Sequence, residues 1–165
     1  MADNTAPVLP DSRYEHLATD IINLYASIQE ASCRLLLLIR EFDEAELALQ
    51  QGFLNTAQWL GYYLGLGPNA AREKVRVARA LVDLPEIERA YANGELSFSK
   101  VRALTRVARP DNEACLLDMA RAATAQQVER IVRDQVRIEK GRQLYVIRGV
   151  TTSFIEGLLA AEITR

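Results

Sequence analysis

Apolar residues between Leu17 and Leu49 recur at alternating steps of four and three: Leu17, Ile21, Leu24, Ile28, Ala31, Leu35, Leu38, Phe42, Ala45 and Leu49. Such spacing keeps one stripe of a helix in register with a partner helix. Asp11 or Ser12 can cap its start, and Gly52 stands where it would end or bend. The pattern therefore predicts a rod about 55 Å long at the usual rise per residue. Ile22, Tyr25, Leu36, Leu37 and Ile39 widen the stripe. That width favours burial of the rod inside a helical domain. Pairing with a second copy through Leu17, Ile21, Leu24, Ile28, Leu35, Leu38 and Phe42 is the alternative.

Shorter helical segments follow, each with its own punctuation. Asn55 or Thr56 caps a segment through Leu64, which Gly65-Leu66-Gly67 stops. Pro68 opens the next, running to about Val82, and Pro85 opens another that ends at Asn93-Gly94. Ser97 or Ser99 caps a segment closed before Pro110, and Asp111 caps one carrying Leu116, Leu117, Met119 and Ala120. Thr124 and Gln127 form a capping box for a helix with Val128, Ile131, Val132 and Ile138. Beyond Gly141, Leu144-Tyr145-Val146-Ile147 reads as a short strand, and Ser153 with Glu156 opens a last helix. The expected architecture is all-α: a tail over 1–11, a helical domain over 12–140 with a long N-terminal helix, and a strand-helix appendage over 141–165.

Composition narrows the function. The chain has 165 residues, 49% hydrophobic and 25% charged, which suits one globular domain. The longest apolar run, Leu35–Ile39, is too short to span a bilayer, and Met1–Pro10 lacks the apolar core of a signal peptide. Cys33 and Cys115 are far apart and read as small buried side chains in a reduced, cytoplasmic protein. His16 is the only histidine, which argues against Ser-His-Asp, Cys-His and His-rich zinc chemistry. Glu41, Asp43, Glu44 and Glu46 read as a surface acidic patch, and no cofactor or metal is expected. The chain is expected to bind rather than catalyse.

Charge is segregated. Residues 1–67 carry 3 basic and 9 acidic side chains, residues 68–109 carry 9 and 5, and residues 110–165 carry 8 of each. Within the basic block, Arg72, Arg76 and Arg79 share one face of the helix opened by Pro68, beside an apolar stripe of Ala71, Val75, Ala78 and Val82. A helix, a glycine-bearing turn and this second helix have the outline of a helix-turn-helix. In that arrangement Asn69, Arg72, Glu73 and Arg76 would face base edges, with Arg79 and Lys74 nearer phosphate. Arg102, Arg106 and Arg109, and then Arg130, Arg133 and Arg137, form two further rows that read as solvated faces. Trp59, Tyr62 and Tyr63 read as core and groove residues.

The run Arg40-Glu41-Phe42-Asp43, then Trp59-Leu60, Ala70 through Leu81, Leu84-Pro85, Gly94 through Ala108 and Pro110 resembles the domain of unknown function 222, the 13E12 repeat family. The resemblance covers roughly Glu15 to Arg137. Members commonly join this helical domain to a C-terminal HNH endonuclease, which implies an accessory role beside DNA. An HNH module needs several histidines and an asparagine, and nothing after Arg137 supplies them, so nuclease activity does not carry over. A weaker likeness, from Trp59 to Leu104, is to the helix-turn-helix region of ParB-type partition proteins. It implies that the helix opened by Pro68 is a recognition helix binding double-stranded DNA.

Overall fold

The computed structural model describes residues 12–147, with side-chain surroundings from Tyr14 to Ile138. These residues form eight α-helices and one 3-10 turn, with no strand among them. Helix α1 runs Ser12–Glu44, α2 Leu47–Gln50, α3 Thr56–Leu64, α4 Pro68–Ala80, α5 Pro85–Ala92, α6 Phe98–Leu104, α7 Glu113–Ala122 and α8 Ala125–Ile147.

The local signals act mostly as the sequence predicts. The Asn55 side chain accepts from the Gln58 N–H at 2.9 Å, and Gly65 takes a left-handed φ of 65° to close α3. Pro68 and Pro85 occupy the first turns of α4 and α5. Ser97 accepts from the Lys100 N–H at 3.3 Å. The Thr124 and Gln127 side chains each accept from the other's backbone N–H, at 2.8 and 3.3 Å, which completes the capping box of α8. Gly94, at φ 74°, is needed twice over: a Cβ there would also meet Ala26 of α1 at 3.0 Å.

Five expectations are corrected. The rod ends at Glu44, not near Gly52, because Glu46 adopts a left-handed φ of 52° and starts the separate turn of α2. The segment after Ser97 ends at Leu104, and α7 starts behind Asn112 rather than Asp111, with the Asn112 side chain bonded to Arg109 N and Val107 O instead. Residues 144–147 close α8 rather than forming a strand. Their β-branched and aromatic preference is small beside the cost of breaking a helix already propagated through Gly141. Cys115 is exposed. The tail over 1–11 and the helix after Ser153 lie outside the described residues.

Long-range caps hold the body together. Gln29, buried on α1, accepts from the Phe98 N–H at the start of α6, at 3.0 Å. Glu113, buried on α7, accepts from the Ile87 N–H in the first turn of α5, at 2.7 Å. A carboxylate there satisfies an orphan donor and lies at the positive end of the helix dipole. Between these ties sit Leu36, Leu60, Val77, Leu81, Ile87, Tyr91, Leu96, Leu104 and Val128, each almost fully buried.

Burial also shifts two titrating groups of the core. It pushes the Cys33 thiol up from 9.0 to about 11, reinforced by Glu88 and opposed by Arg40. It pushes the Tyr91 hydroxyl up from 10.0 to about 12. Both folded groups hold their protons more tightly than the unfolded chain does. Their contribution is complete below about pH 9 and is lost as pH rises through the folded values. At neutral pH a thiol reagent is expected to modify Cys115 quickly and Cys33 only on unfolding. Equal rates at the two thiols would contradict this core.

Candidate functional site

The helix-turn-helix outline is α3, the turn Gly65-Leu66-Gly67, and α4. The two helices border an open groove of about 1000 Å³ lined by Asn55, Gln58, Gly61, Leu66, Pro68 and Arg72, among others. Helix α4 packs against α1, α3 and α6 at once, with Ala71, Val75, Val77 and Ala78 buried. Its first turn stands clear, with Pro68, Asn69 and Ala70 exposed, and Arg72 and Arg79 are exposed further along it.

That packing divides the six residues expected to meet DNA. Arg76 is half-buried and reaches the end of α6, donating to the carbonyls of Arg102 at 2.9 Å and Thr105 at 3.2 Å. A guanidinium there satisfies orphan carbonyls at the negative end of a helix. Glu73 accepts from Arg76 at 3.2 Å and Arg106 at 3.1 Å. Burial alone would raise its carboxyl, but the two arginines outweigh that and hold it below the ordinary 4.5. Arg79 grips Asp43 of α1 through both oxygens, at 2.6 and 3.0 Å, and the Thr56 hydroxyl donates to the same carboxylate at 2.7 Å. Lys74 lies 4.6 Å from the centre of the Phe98 ring, and burial holds its pKa below 10.5. Asn69 and Arg72 remain outward-facing, with Arg72 donating to Asn69 Oδ1 at 2.7 Å. Of the two further rows, Arg102 pairs with Glu129 and Arg106 with Glu73, while Arg130, Arg133 and Arg137 are exposed on α8.

Helix α1 presents a different kind of surface. Its packed stripe is Gln29, Cys33, Leu36 and Ile39. The heptad seam lies roughly a third of a turn around from it. Burial of the seam inside the domain is therefore overturned. Tyr14, Leu17, Ile21, Ile22, Leu24, Tyr25 and Ile28 are 51–68% exposed, and Leu38 is 57% exposed. Contact with the body begins near Ala26, against Gly94. Residues before it project by about 20 Å at ~1.5 Å per residue.

The seam ends at Phe42, whose ring centre lies 4.5 Å from that of Trp59. Trp59 in turn meets Tyr63 at 4.7 Å, and Tyr62 and Phe53 complete the cluster. Tyr62 is 74% exposed and Tyr63 56%, so these rings are not core residues. The available signal was the spacing of Thr56 and Leu60, which fixes the buried face of so short a helix and leaves Tyr62 and Tyr63 off it. Among the described residues no group of His, Cys, Asp and Glu could hold a metal ion, and no helix is long and apolar enough to cross a membrane.

Fold and surfaces together define an all-α domain with a projecting N-terminal helix. Residues 25–142 match the family model Domain of unknown function (DUF222), and the chain belongs to that family. No curated protein and no solved structure matches it.

The division within α4 can be measured by urea denaturation. Arg76→Ala is expected to cost about 1–3 kcal/mol, since it strips partners from half-buried carbonyls. Asp43→Ala is expected to cost about 1–2 kcal/mol, moderated by the solvent around Arg79. Arg72→Ala should stay within about 0.5 kcal/mol of the parent. The Asp43 carboxyl is held below 3.8, chiefly by Arg79, so its contribution is present above that pH and is lost as pH falls through the folded value. A loss for Arg72→Ala as large as that for Arg76→Ala would refute the division.

Proposed function

We propose that this domain is a non-catalytic helical interaction module of the cytoplasm that pairs with a second copy of itself through the seam of α1. The observation that carries the reading is the run of large apolar side chains from Tyr14 to Ile28, each more than half exposed on a projecting helix. At roughly 100 Å² per half-exposed side chain, one copy offers roughly 700 Å², close to one side of a standard interface. Patches of that size on soluble proteins mark interaction sites.

Sedimentation equilibrium tests this directly. The parent should show a concentration-dependent mass reaching the dimer. Leu24→Glu in both copies should weaken pairing by about a hundredfold or more, at ~1.5 kcal/mol or more per lost leucine. Leu24 is 65% exposed, so the thermal melt of the monomer should be unchanged. A parent that remains monomeric at all concentrations would sink the proposal.

A second reading, a DNA-binding accessory module of an HNH-endonuclease-type protein, is favoured by the outward-facing first turn of α4. There Asn69 and Arg72 are exposed and hydrogen-bonded to each other, and in this reading Arg72 would be the principal contact. In duplex titrations followed by anisotropy, Arg72→Ala should lower the slope of log affinity against log salt by about 0.9, whereas an unchanged slope would rule the contact out.

A further inference from the structure

We infer that the groove between α3 and α4 is a binding site for a small organic monoanion, a carboxylate carrying an aromatic or alkyl body. The site does not depend on the pairing of α1.

The floor of the groove is apolar. Ala57 and Gly61 on α3, Leu66 in the turn, and Val75 and Ala80 on α4 line it. Three of these five are alanine or glycine, which leaves the space between the two helices unfilled. At about 1000 Å³ the groove has the size of a small-molecule site, and such sites combine an apolar lining with a few placed polar groups.

The polar edge offers donors, because the acceptors beside them are already taken. Asn55 Oδ1 accepts from the Gln58 N–H at 2.9 Å, and Gln58 Oε1 accepts from the Leu54 N–H at 2.8 Å. Each of these side chains therefore keeps its amide N–H groups for another partner. Both oxygens of Asp43 are held by Arg79, and the Thr56 hydroxyl shares one of them. Arg76 is committed to Glu73 and to the end of α6. Arg72 differs. It is exposed, and among the described residues its partner is the neutral amide oxygen of Asn69 rather than a carboxylate.

One guanidinium of the groove is thus left without a counter-charge. Its planar fork matches a carboxylate through two parallel hydrogen bonds. A second negative charge on the ligand would find Arg79 already neutralised by Asp43. The matching ligand brings one carboxylate to Arg72, with its apolar body on the floor. A DNA phosphate could meet Arg72 but has nothing apolar to lay on that floor.

The test is a titration of the isotope-labelled chain followed by its amide NMR shifts. Naphthoate and octanoate are each compared with the matching neutral alcohol, naphthalenemethanol and octanol. Both anions should shift the amides of Gly61, Leu66 and Val75, and each should bind about tenfold more tightly than its alcohol. Arg72→Ala should abolish that preference and leave binding of the alcohols unchanged. Ala57→Leu, which fills the floor, should weaken anion and alcohol together. The Arg72 comparison is decisive by itself, because that side chain makes no contact with the core. Shifts confined to the seam of α1, or none in the groove at millimolar probe, would overturn the site. A preference for the anions that survives Arg72→Ala would overturn the pairing on which the ligand class rests. Groove shifts produced by duplex DNA but by neither anion would assign the surface to nucleic acid and overturn the proposal.

Discussion

The enclosure of α4 by α1, α3 and α6 constrains everything else in this fold. A helix touched on three sides has little polar face to give to solvent, so most of its charged side chains find partners within the body. Arg79 finds Asp43, Glu73 finds Arg76 and Arg106, and Arg76 goes on to close the end of α6. Asp43 then links α1, α3 and α4 through a single carboxylate, because the Thr56 hydroxyl shares it. The arrangement reconciles a strongly basic helix with tight packing, while Arg72 and Arg79 stay exposed to solvent.

Helix α1 resolves the same constraint differently. From Ala26 onward one stripe packs on the body, and the Gln29 amide caps α6 from the side. The heptad seam is more regular and more apolar than that stripe, yet it faces away. A seam that continues for several turns past the last body contact cannot be explained by the body. Its regularity suits the straight partner helix of the proposed pairing, whereas the stripe of Gln29, Cys33, Leu36 and Ile39 follows the bundle surface.

Element boundaries set by local chemistry were legible in the sequence. Asn55, Pro68, Pro85, Ser97 and the Thr124–Gln127 box all act within a few residues of themselves, so the chain alone specifies them. What the sequence could not show was which apolar face meets which neighbour. Seam and packed stripe differ by roughly a third of a turn on one helix, and both contain leucine and isoleucine. The pairing of the arginine row on α4 was hidden for a related reason. Its spacing is that of an exposed face, but the acceptors that capture it, Asp43 and the carbonyls of Arg102 and Thr105, come from other elements and are invisible to any local pattern. The supposed strand at 144–147 shows the converse, a local preference overridden by the helix leading into it.

The family match starts at residue 25, which is where α1 first meets the body. The matched region therefore contains the packed stripe, the long-range caps and the enclosed α4, all of which must be kept together for the domain to fold. The projecting turns before it contribute no contact to that core, and their side chains from Tyr14 to Leu24 are exposed. Substitution there carries little cost in folding stability. Folding of the body makes no use of the apolar side chains there, and the proposed pairing is the reading that gives them a role.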